Sequence, residues 1–261
     1  ALVHQERYDQ TGSGKGDPMK KLFFLLLALP TAALASGAAV HLDHAPVNPN
    51  DQESLQRGAR VFVNYCLSCH SAGYMRYNRM EDIGLTEAQI KDNLLYAAEK
   101  PGELMHVAMR TADAKAWFGA PPPDLSVITR SRGADWVYTY LRGFYRDDSR
   151  PTGWNNTVFD KVGMPHVLHD LQGQMAPVYH AVQGEDGKTH QVIERFELVK
   201  PGSLTLAEYD AMVGDLVNYL DWMGEPAKGT RMTTGVFVLL FLGVFFIIAF
   251  YLKKDFWKGL H

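Results

Sequence analysis

The segment that decides the fold is Cys66-Leu67-Ser68-Cys69-His70. These are the only two cysteines among 261 residues, so a disulfide framework is excluded and the two thiols act together. Thiols about one helical turn apart can reach the two vinyl groups of a haem, and the histidine that follows can offer its imidazole to the iron. The spacing therefore predicts one covalently bound haem c, with Cys66 and Cys69 as the attachment residues and His70 as an axial ligand.

Two other uses of paired cysteines fit this sequence less well. A structural zinc site would need a second pair of Cys or His ligands at similar spacing, and the chain has no further cysteine. A thioredoxin-like redox pair would follow a strand in a βαβ unit and would not need the histidine. The haem interpretation is therefore the preferred one.

The N-terminal part carries the pattern of an export signal. Residues 19–21 are Met-Lys-Lys, residues 22–29 are an unbroken apolar run, and Ala33-Leu34-Ala35 fits a small-x-small cleavage site. The apolar run is too short to span a bilayer as a helix. We predict a signal peptide over residues 19–35 and a disordered upstream segment over residues 1–18.

A second apolar run lies near the C-terminus. Residues 232–252 carry no charge, and a helix of about 21 residues covers the roughly 30 Å hydrocarbon core of a membrane. Three lysines lie among residues 253–261 behind it, against Arg231 in front. Because positive charge favours the cytoplasmic side, we predict a single-pass anchor in a bacterial inner membrane, a cytoplasmic tail and a periplasmic domain.

Between these hydrophobic ends, residues 36–228 are predicted to form a mostly α-helical, cytochrome c-like haem domain with long loops and one small hairpin. The apolar spacing predicts helices over residues 51–64, 86–98, 134–144 and 206–222, and the alternation of polar and apolar residues predicts a hairpin over residues 183–200. A formal charge of -3 and the lack of a dense basic run argue against a nucleic-acid partner.

A methionine is the expected second axial ligand, because Met/His ligation raises the reduction potential of a haem. Met164 lies between Gly163 and Pro165, which favour an extended loop, and Met175 has a similar setting before Pro177. The chain's other histidines leave bis-histidine ligation open. His166 and His169, three positions apart, could suggest a metal site, although loop-surface positions are the preferred interpretation for both.

The haem propionates need cationic or hydrogen-bonding partners. Arg130 and Arg132 follow a Pro-rich turn that ends at Pro123, and Trp136 lies just beyond them. We expect these four residues to border the haem pocket. A solvated surface charge is the alternative for each arginine.

The chain resembles the cytochrome c1 family of the quinol–cytochrome c reductase (bc1) complex, in its proteobacterial form. The resemblance covers about residues 45–261 and is carried by several segments, in chain order: Arg57-Gly58, Val61-Phe62, Cys66 to Ser71, Tyr74, Arg76-Tyr77, Pro122 to Ser126, Arg130 to Gly133, Gly163-Met164-Pro165 and Gly224-Glu225-Pro226 before the anchor. This combination is far more specific than the haem motif alone.

The resemblance implies an electron carrier that is not an enzyme on its own. Electrons would arrive from the Rieske iron–sulfur subunit and leave to a c-type cytochrome, while a cytochrome b subunit performs the quinol chemistry within a dimeric complex. It also implies that Met164 is the axial ligand and that Arg132 contacts a propionate.

Two departures from the family pattern concern the loop that carries Met164, called the ligand loop below. Pro165-His166 stands where many members have Ala-Pro-Pro, which keeps Met175 as a rival ligand. The chain also lacks the cysteines for the disulfide that clamps the loop in some bacterial members, so another constraint must hold it.

Two further hypotheses remain at this point. The chain could be a haem subunit of a terminal oxidase or of another quinol dehydrogenase, or it could be a haem sensor with an open iron site.

Overall fold

The computed structural model describes residues 40–107, 109–183 and 187–259. The predicted signal peptide and upstream segment lie outside these residues. Within the described ranges the chain forms eight α-helices: α1 (Gln52–Val61), α2 (Glu87–Asn93), α3 (Thr111–Phe118), α4 (Ile128–Arg132), α5 (Ala134–Arg142), α6 (His169–Gln172), α7 (Leu206–Gly224) and α8 (Lys228–Phe256). One π-helical turn (Phe62–Cys66) continues α1, and a 3-10 helix (Tyr77–Ile83) precedes α2.

Six strands of the described chain pair as three antiparallel ribbons. The strands are β1 (Ala72–Arg76), β2 (Leu104–Met105), β3 (Phe144–Arg146), β4 (Trp154–Asn156), β5 (Gly173–Gln183) and β6 (Thr189–Pro201). In the second ribbon Phe144 pairs with Asn156, and in the third Gly173 pairs with Pro201. The fold is therefore mostly helical with small sheets, as predicted.

Helix α7 forms the centre of the hydrophobic core, where α1, α4 and α5 pack against it. Its N-terminus has a capping box in which Thr205 and Glu208 bond each other's backbone. Where α1 crosses it, a Cβ at Gly58 would collide with the backbone of Asp215 and with Cβ of Tyr219. Glycine therefore permits this close helix crossing.

Side chains from several elements complete the core. The largest fully buried ones are Tyr77, Tyr209, Tyr219, Phe62, Phe144, Leu55, Met80, Ile83, Ile90, Met105, Leu168 and Leu216. Polar contacts fix the helices around them: Oη of Tyr209 donates to the carbonyl oxygen of Leu141 at 2.8 Å, and Arg142 forms a forked ion pair with Asp210. The buried Asn218 bonds both backbone groups of Asn48, which ties the segment before α1 to α7.

The predicted elements differ from the observed ones mainly at their ends. The second predicted helix ends at Asn93 instead of residue 98, because the chain turns back so that residues 101–103 bond the backbone of Tyr77 and Asn78. The third ends at Arg142, since Phe144 already belongs to β3. The hairpin begins at Gly173, ten residues earlier than predicted.

The C-terminal helix α8 has 29 residues and a mean hydropathy of 2.8 in its most apolar window, and none of that window is buried against the protein. It extends the predicted span by about one turn at each end. Two ion pairs join its first turn to the end of α7 across Pro226: Lys228 with Asp221 at 3.2 Å, and Arg231 with Glu225 at 2.7 Å. A helix this long, whose most apolar stretch is not buried against the described part of the chain, fits a membrane anchor.

Candidate haem site

A largely apolar cavity of about 370 Å³ lies where the haem motif, the Pro-rich turn, α5 and the Met164 loop meet. Seven of the nine site residues predicted from the sequence line it: Cys66, Cys69, His70, Pro123, Arg132, Trp136 and Met164. Further walls come from Leu125, Ile128, Val137, Leu141, Phe118, Phe159, Val162, Val167, Leu216 and Leu220. The fold thus brings together predicted site residues that are up to 98 positions apart, from Cys66 to Met164.

The π-helical turn positions the two cysteines. It widens the end of α1, and the motif then closes tightly, with the backbone N–H groups of Cys69 and His70 both donating to the carbonyl oxygen of Cys66 at 3.0 and 2.8 Å. Desolvation, and Cys69 beside it, raise the pKa of the Cys66 thiol to about 12. That thiol is therefore neutral at physiological pH.

His70 is held in one tautomer. The residue is 9% exposed, and its Nδ1 lies 2.7 Å from the carbonyl oxygen of Pro123. Because a carbonyl can only accept, Nδ1 must carry the proton, which leaves the lone pair on Nε2 free for a metal. Burial also lowers the pKa of His70, so the imidazole is neutral, as ligation requires.

The Pro123 carbonyl is held in place by the residues that follow it. The Asp124 carboxylate accepts from the backbone N–H of Gly73 at 2.7 Å and of Ser126 at 2.8 Å, and the Ser126 hydroxyl accepts from the N–H of Tyr74. Although burial alone would raise it, these hydrogen bonds hold the pKa of Asp124 below its usual value. The turn is thus fastened to β1, directly after the haem motif.

Two buried asparagines shape the chain that leads to Met164. Oδ1 of Asn155 accepts from the N–H of Lys161, where the backbone has a positive φ of 59°. Oδ1 of Asn156 accepts from the N–H groups of Val158 and Phe159, and its Nδ2 donates to the carbonyl oxygen of Tyr140. These side-chain hydrogen bonds satisfy backbone groups that no helix or strand pairs, and they fix the conformation of the segment that precedes Met164.

His166 is not on the surface, so the prediction of a surface loop position was wrong for this residue. The residue is 2% exposed, and its ring stacks on Phe144, with centroids 4.8 Å apart and planes 2° from parallel. The Trp154 ring meets the imidazole edge-on, with centroids 5.0 Å apart. Burial lowers the pKa of His166 to about 4, so the ring is neutral and packs as an aromatic side chain.

Two predicted residues do not line the cavity. Arg130 is exposed, and its side-chain carbons lie against Gly224 at the end of α7. Met175 lies in β5, where it pairs with Leu198 of β6. Their counterparts Arg132 and Met164 do line the cavity, and the Arg132 guanidinium lies 5.3 Å from the centroid of the Trp136 ring.

Tyr140 also lines the cavity, although it is not among the site residues predicted from the sequence. Its hydroxyl lies 3.4 Å from Sδ of Met164, and its ring stacks on Trp136 at 4.9 Å. The signal for it was present, since residues four apart on a helix share a face and Trp136 was already a candidate.

The residues present fit a haem c. Two thiols, a neutral imidazole and a thioether surround a cavity with apolar walls, and one arginine stands at its border. Nitrogen and sulfur donors of this kind suit haem iron. Together with the apolar C-terminal helix, they define the class of the protein: a membrane-anchored cytochrome of the c type.

Comparison with known proteins narrows this class. The model of the Cytochrome C1 family matches residues 43–260, and the chain belongs to that family. Members carry one covalently bound haem c and serve in respiratory electron transport as membrane-anchored subunits of the bc1 complex, together with cytochrome b and the Rieske protein.

Similar proteins carry two different names. "Cytochrome c1" of Allochromatium vinosum is 51% identical over 247 residues, which are 93% of this chain and 100% of that protein. "Ammonia monooxygenase gamma subunit" of Nitrosomonas europaea is 49% identical over 246 residues, with the same coverage of both chains. "Cytochrome c1" of Rhodospirillum rubrum is 29% identical over 80% of this chain and 82% of its own.

Proposed function

We propose that the protein receives single electrons from the Rieske iron–sulfur subunit and passes them to a c-type cytochrome, within a dimeric quinol–cytochrome c reductase. The observation that carries this proposal is the meeting of Cys66, Cys69, His70 and Met164 around one cavity. In this assignment Cys66 and Cys69 form the two thioether bonds, and His70 and Met164 are the axial ligands.

The bound haem supplies a one-electron couple, and the chain's own residues tune and protect it. His70 is oriented by the Pro123 carbonyl, which also makes the imidazole a stronger donor. The apolar walls exclude water from the ligand bonds, and a thioether ligand favours the ferrous state. Arg132, at the border of the cavity, is positioned to pair with a propionate.

The proposal includes the direction of the chain in the membrane. Residues 19–35 direct export, residues 36–228 lie in the periplasm, and the lysines after α8 keep the tail in the cytoplasm. This arrangement places the haem domain on the side of the membrane where c-type cytochromes are assembled.

The decisive experiment is purification of the full chain in mild detergent, with reduced-minus-oxidised spectra and identification of the bound subunits. We expect a c-type spectrum, pigment that survives acid–acetone extraction, and co-purification with a cytochrome b that carries two haems and with an iron–sulfur protein. Pigment lost to acid–acetone would contradict covalent attachment.

The relative from Nitrosomonas europaea motivates a second candidate. Because its name assigns it to an ammonia monooxygenase, a closely similar chain could serve a different oxidoreductase as its haem subunit. A terminal oxidase or another quinol dehydrogenase belongs to the same alternative. Co-purification with monooxygenase or oxidase subunits, in place of a cytochrome b with two haems, would favour it.

A further inference from the structure

A hydroxyl group contacts the sulfur of the methionine that we assign to the iron. Oη of Tyr140 lies 3.4 Å from Sδ of Met164. Since a thioether sulfur can only accept, the phenol donates its proton to it. Within the described part of the chain, this is the only hydrogen bond that the Tyr140 hydroxyl makes.

The Tyr140 ring is fixed on both sides. It stacks on Trp136, with centroids 4.9 Å apart and planes 11° from parallel, and it meets Phe144 edge-on at 5.1 Å. The carbonyl oxygen of Tyr140 accepts from Nδ2 of Asn156 at 2.8 Å. The hydroxyl is therefore held near the sulfur before any ligand bond forms.

The same contacts join Tyr140 to the ligand loop. Asn156 bonds the Tyr140 backbone on one side and, on the other, the N–H groups of Val158 and Phe159, which lie on the path to Met164. A phenol has an ordinary pKa of about 10, so the Tyr140 hydroxyl is a protonated donor in the neutral range.

We propose that Tyr140 is a positioning residue whose hydrogen bond to Met164 orients the sulfur and raises the reduction potential of the haem. Donation to the sulfur withdraws electron density from it, which weakens its bond to ferric iron more than its bond to ferrous iron. Hydrogen bonding to a ligand is one of the means by which proteins tune haem potentials. This inference rests on the proposed assignment of Met164 as an iron ligand.

The test is Tyr140→Phe in the full haem-loaded chain, purified in detergent. Phenylalanine keeps the ring between Trp136 and Phe144 and removes only the hydroxyl. At a fixed solution potential we expect the ratio of ferrous to ferric protein to fall about three- to tenfold, which is about 30 to 60 mV at 59 mV per factor of ten. We also expect a shift of the sulfur-to-iron charge-transfer band of the ferric protein.

Tyr138→Phe is the matched control. Tyr138 lies on the same helix, but its hydroxyl faces the carbonyl oxygen of Asp210 at 3.4 Å. Loss of that hydroxyl should leave both the potential and the charge-transfer band unchanged. An unchanged potential and band in Tyr140→Phe would overturn the inference.

A double-mutant cycle shows whether the effect passes through the sulfur. In a Met164→Leu background, Tyr140→Phe should cause no further change in potential, because there is no sulfur left to accept. An equal shift in both backgrounds would overturn the role of the hydrogen bond and leave the ligand assignment intact. If Met164→Leu alone keeps the parental potential and still excludes carbon monoxide, the ligand assignment itself fails, and the inference falls with it.

Discussion

The imidazole of His166 lies parallel to the phenyl ring of Phe144, with centroids 4.8 Å apart. His166 follows Met164 by two residues, and Phe144 belongs to β3, so this contact fastens the ligand loop to the domain. The Trp154 ring of β4 covers another side of the same imidazole. Aromatic packing thus supplies the constraint that the missing disulfide would otherwise provide.

The first prediction concerns this aromatic contact. His166→Ala should lower the free energy of unfolding by about 2 kcal/mol, because it removes a buried ring and leaves a cavity. The loosened loop should also let carbon monoxide bind the ferrous protein. Denaturant titration of the haem absorbance and carbon monoxide difference spectra measure the two effects.

His44→Ala is the control for this prediction, since the His44 side chain is 88% exposed. This substitution should change the free energy of unfolding by no more than a few tenths of a kcal/mol. It should also leave carbon monoxide binding unchanged. Equal effects of the two substitutions would show that His166 does not hold the loop.

The second prediction concerns the crossing of α1 and α7. Gly58→Ala should destabilise the domain by about 1–3 kcal/mol, because the new methyl group meets the Asp215 backbone, which cannot move aside cheaply. Gly102→Ala is the matched control, since a Cβ there meets no atom within 4 Å. Thermal unfolding of both variants provides the comparison, and a Gly58→Ala protein as stable as Gly102→Ala would refute the close crossing.

The third prediction concerns pH and Asp124. Because the folded state lowers the pKa of this carboxyl group, its contribution to stability is complete above the unfolded-state value of about 3.9 and is lost as the pH falls through the lower folded-state value. Asp124→Asn should therefore reduce the unfolding free energy at pH 7 and make little difference near pH 2. Denaturant unfolding at several pH values measures this difference.

Asp148 offers a comparison, because its side chain is 89% exposed and forms a surface ion pair with Arg146. Asp148→Asn should show almost no loss of stability at either pH. If Asp124→Asn lowers the unfolding free energy by the same amount at neutral and at acid pH, the ionised carboxylate does not have the role that we assign to it.

The fourth prediction separates two neighbouring arginines. Arg132→Gln should lower the midpoint potential of the haem, because a cation close to the propionates favours the reduced, less positive iron centre. Since Arg132 is exposed, the effect should be modest, about twofold in the ferrous-to-ferric ratio or about 20 mV. Arg130→Gln should leave the potential unchanged, because Arg130 does not line the cavity. A shift in potential that is larger in Arg130→Gln than in Arg132→Gln would show that Arg130, and not Arg132, lies near the propionates.

Much of the site could be predicted from local sequence patterns. The haem motif and the apolar C-terminal run are continuous in the chain, so spacing alone indicates their roles. Helix α7 was also predictable, because its apolar periodicity continues through 19 residues and Thr205 and Glu208 mark its start.

The remaining features depend on contacts between distant segments. His166 looked like a surface residue because its burial comes from Phe144 and Trp154, and no local pattern records that packing. The first half of the hairpin was missed because Pro177 and the glycine at the start of β5, Gly173, are unusual in strands, and an edge position is what permits them. Tyr140 could be linked to Met164 only once α5 and the ligand loop were placed side by side.

The most direct test of the account is the midpoint potential of the haem, measured with carbon monoxide binding, in Met164→Leu and Met175→Leu. We expect Met164→Leu to lower the potential by a large margin and to admit carbon monoxide, because the cavity loses its sulfur donor. Met175→Leu should keep the parental potential and exclude the gas. The opposite pattern, with Met164→Leu unchanged and Met175→Leu altered, would contradict the proposed iron ligation.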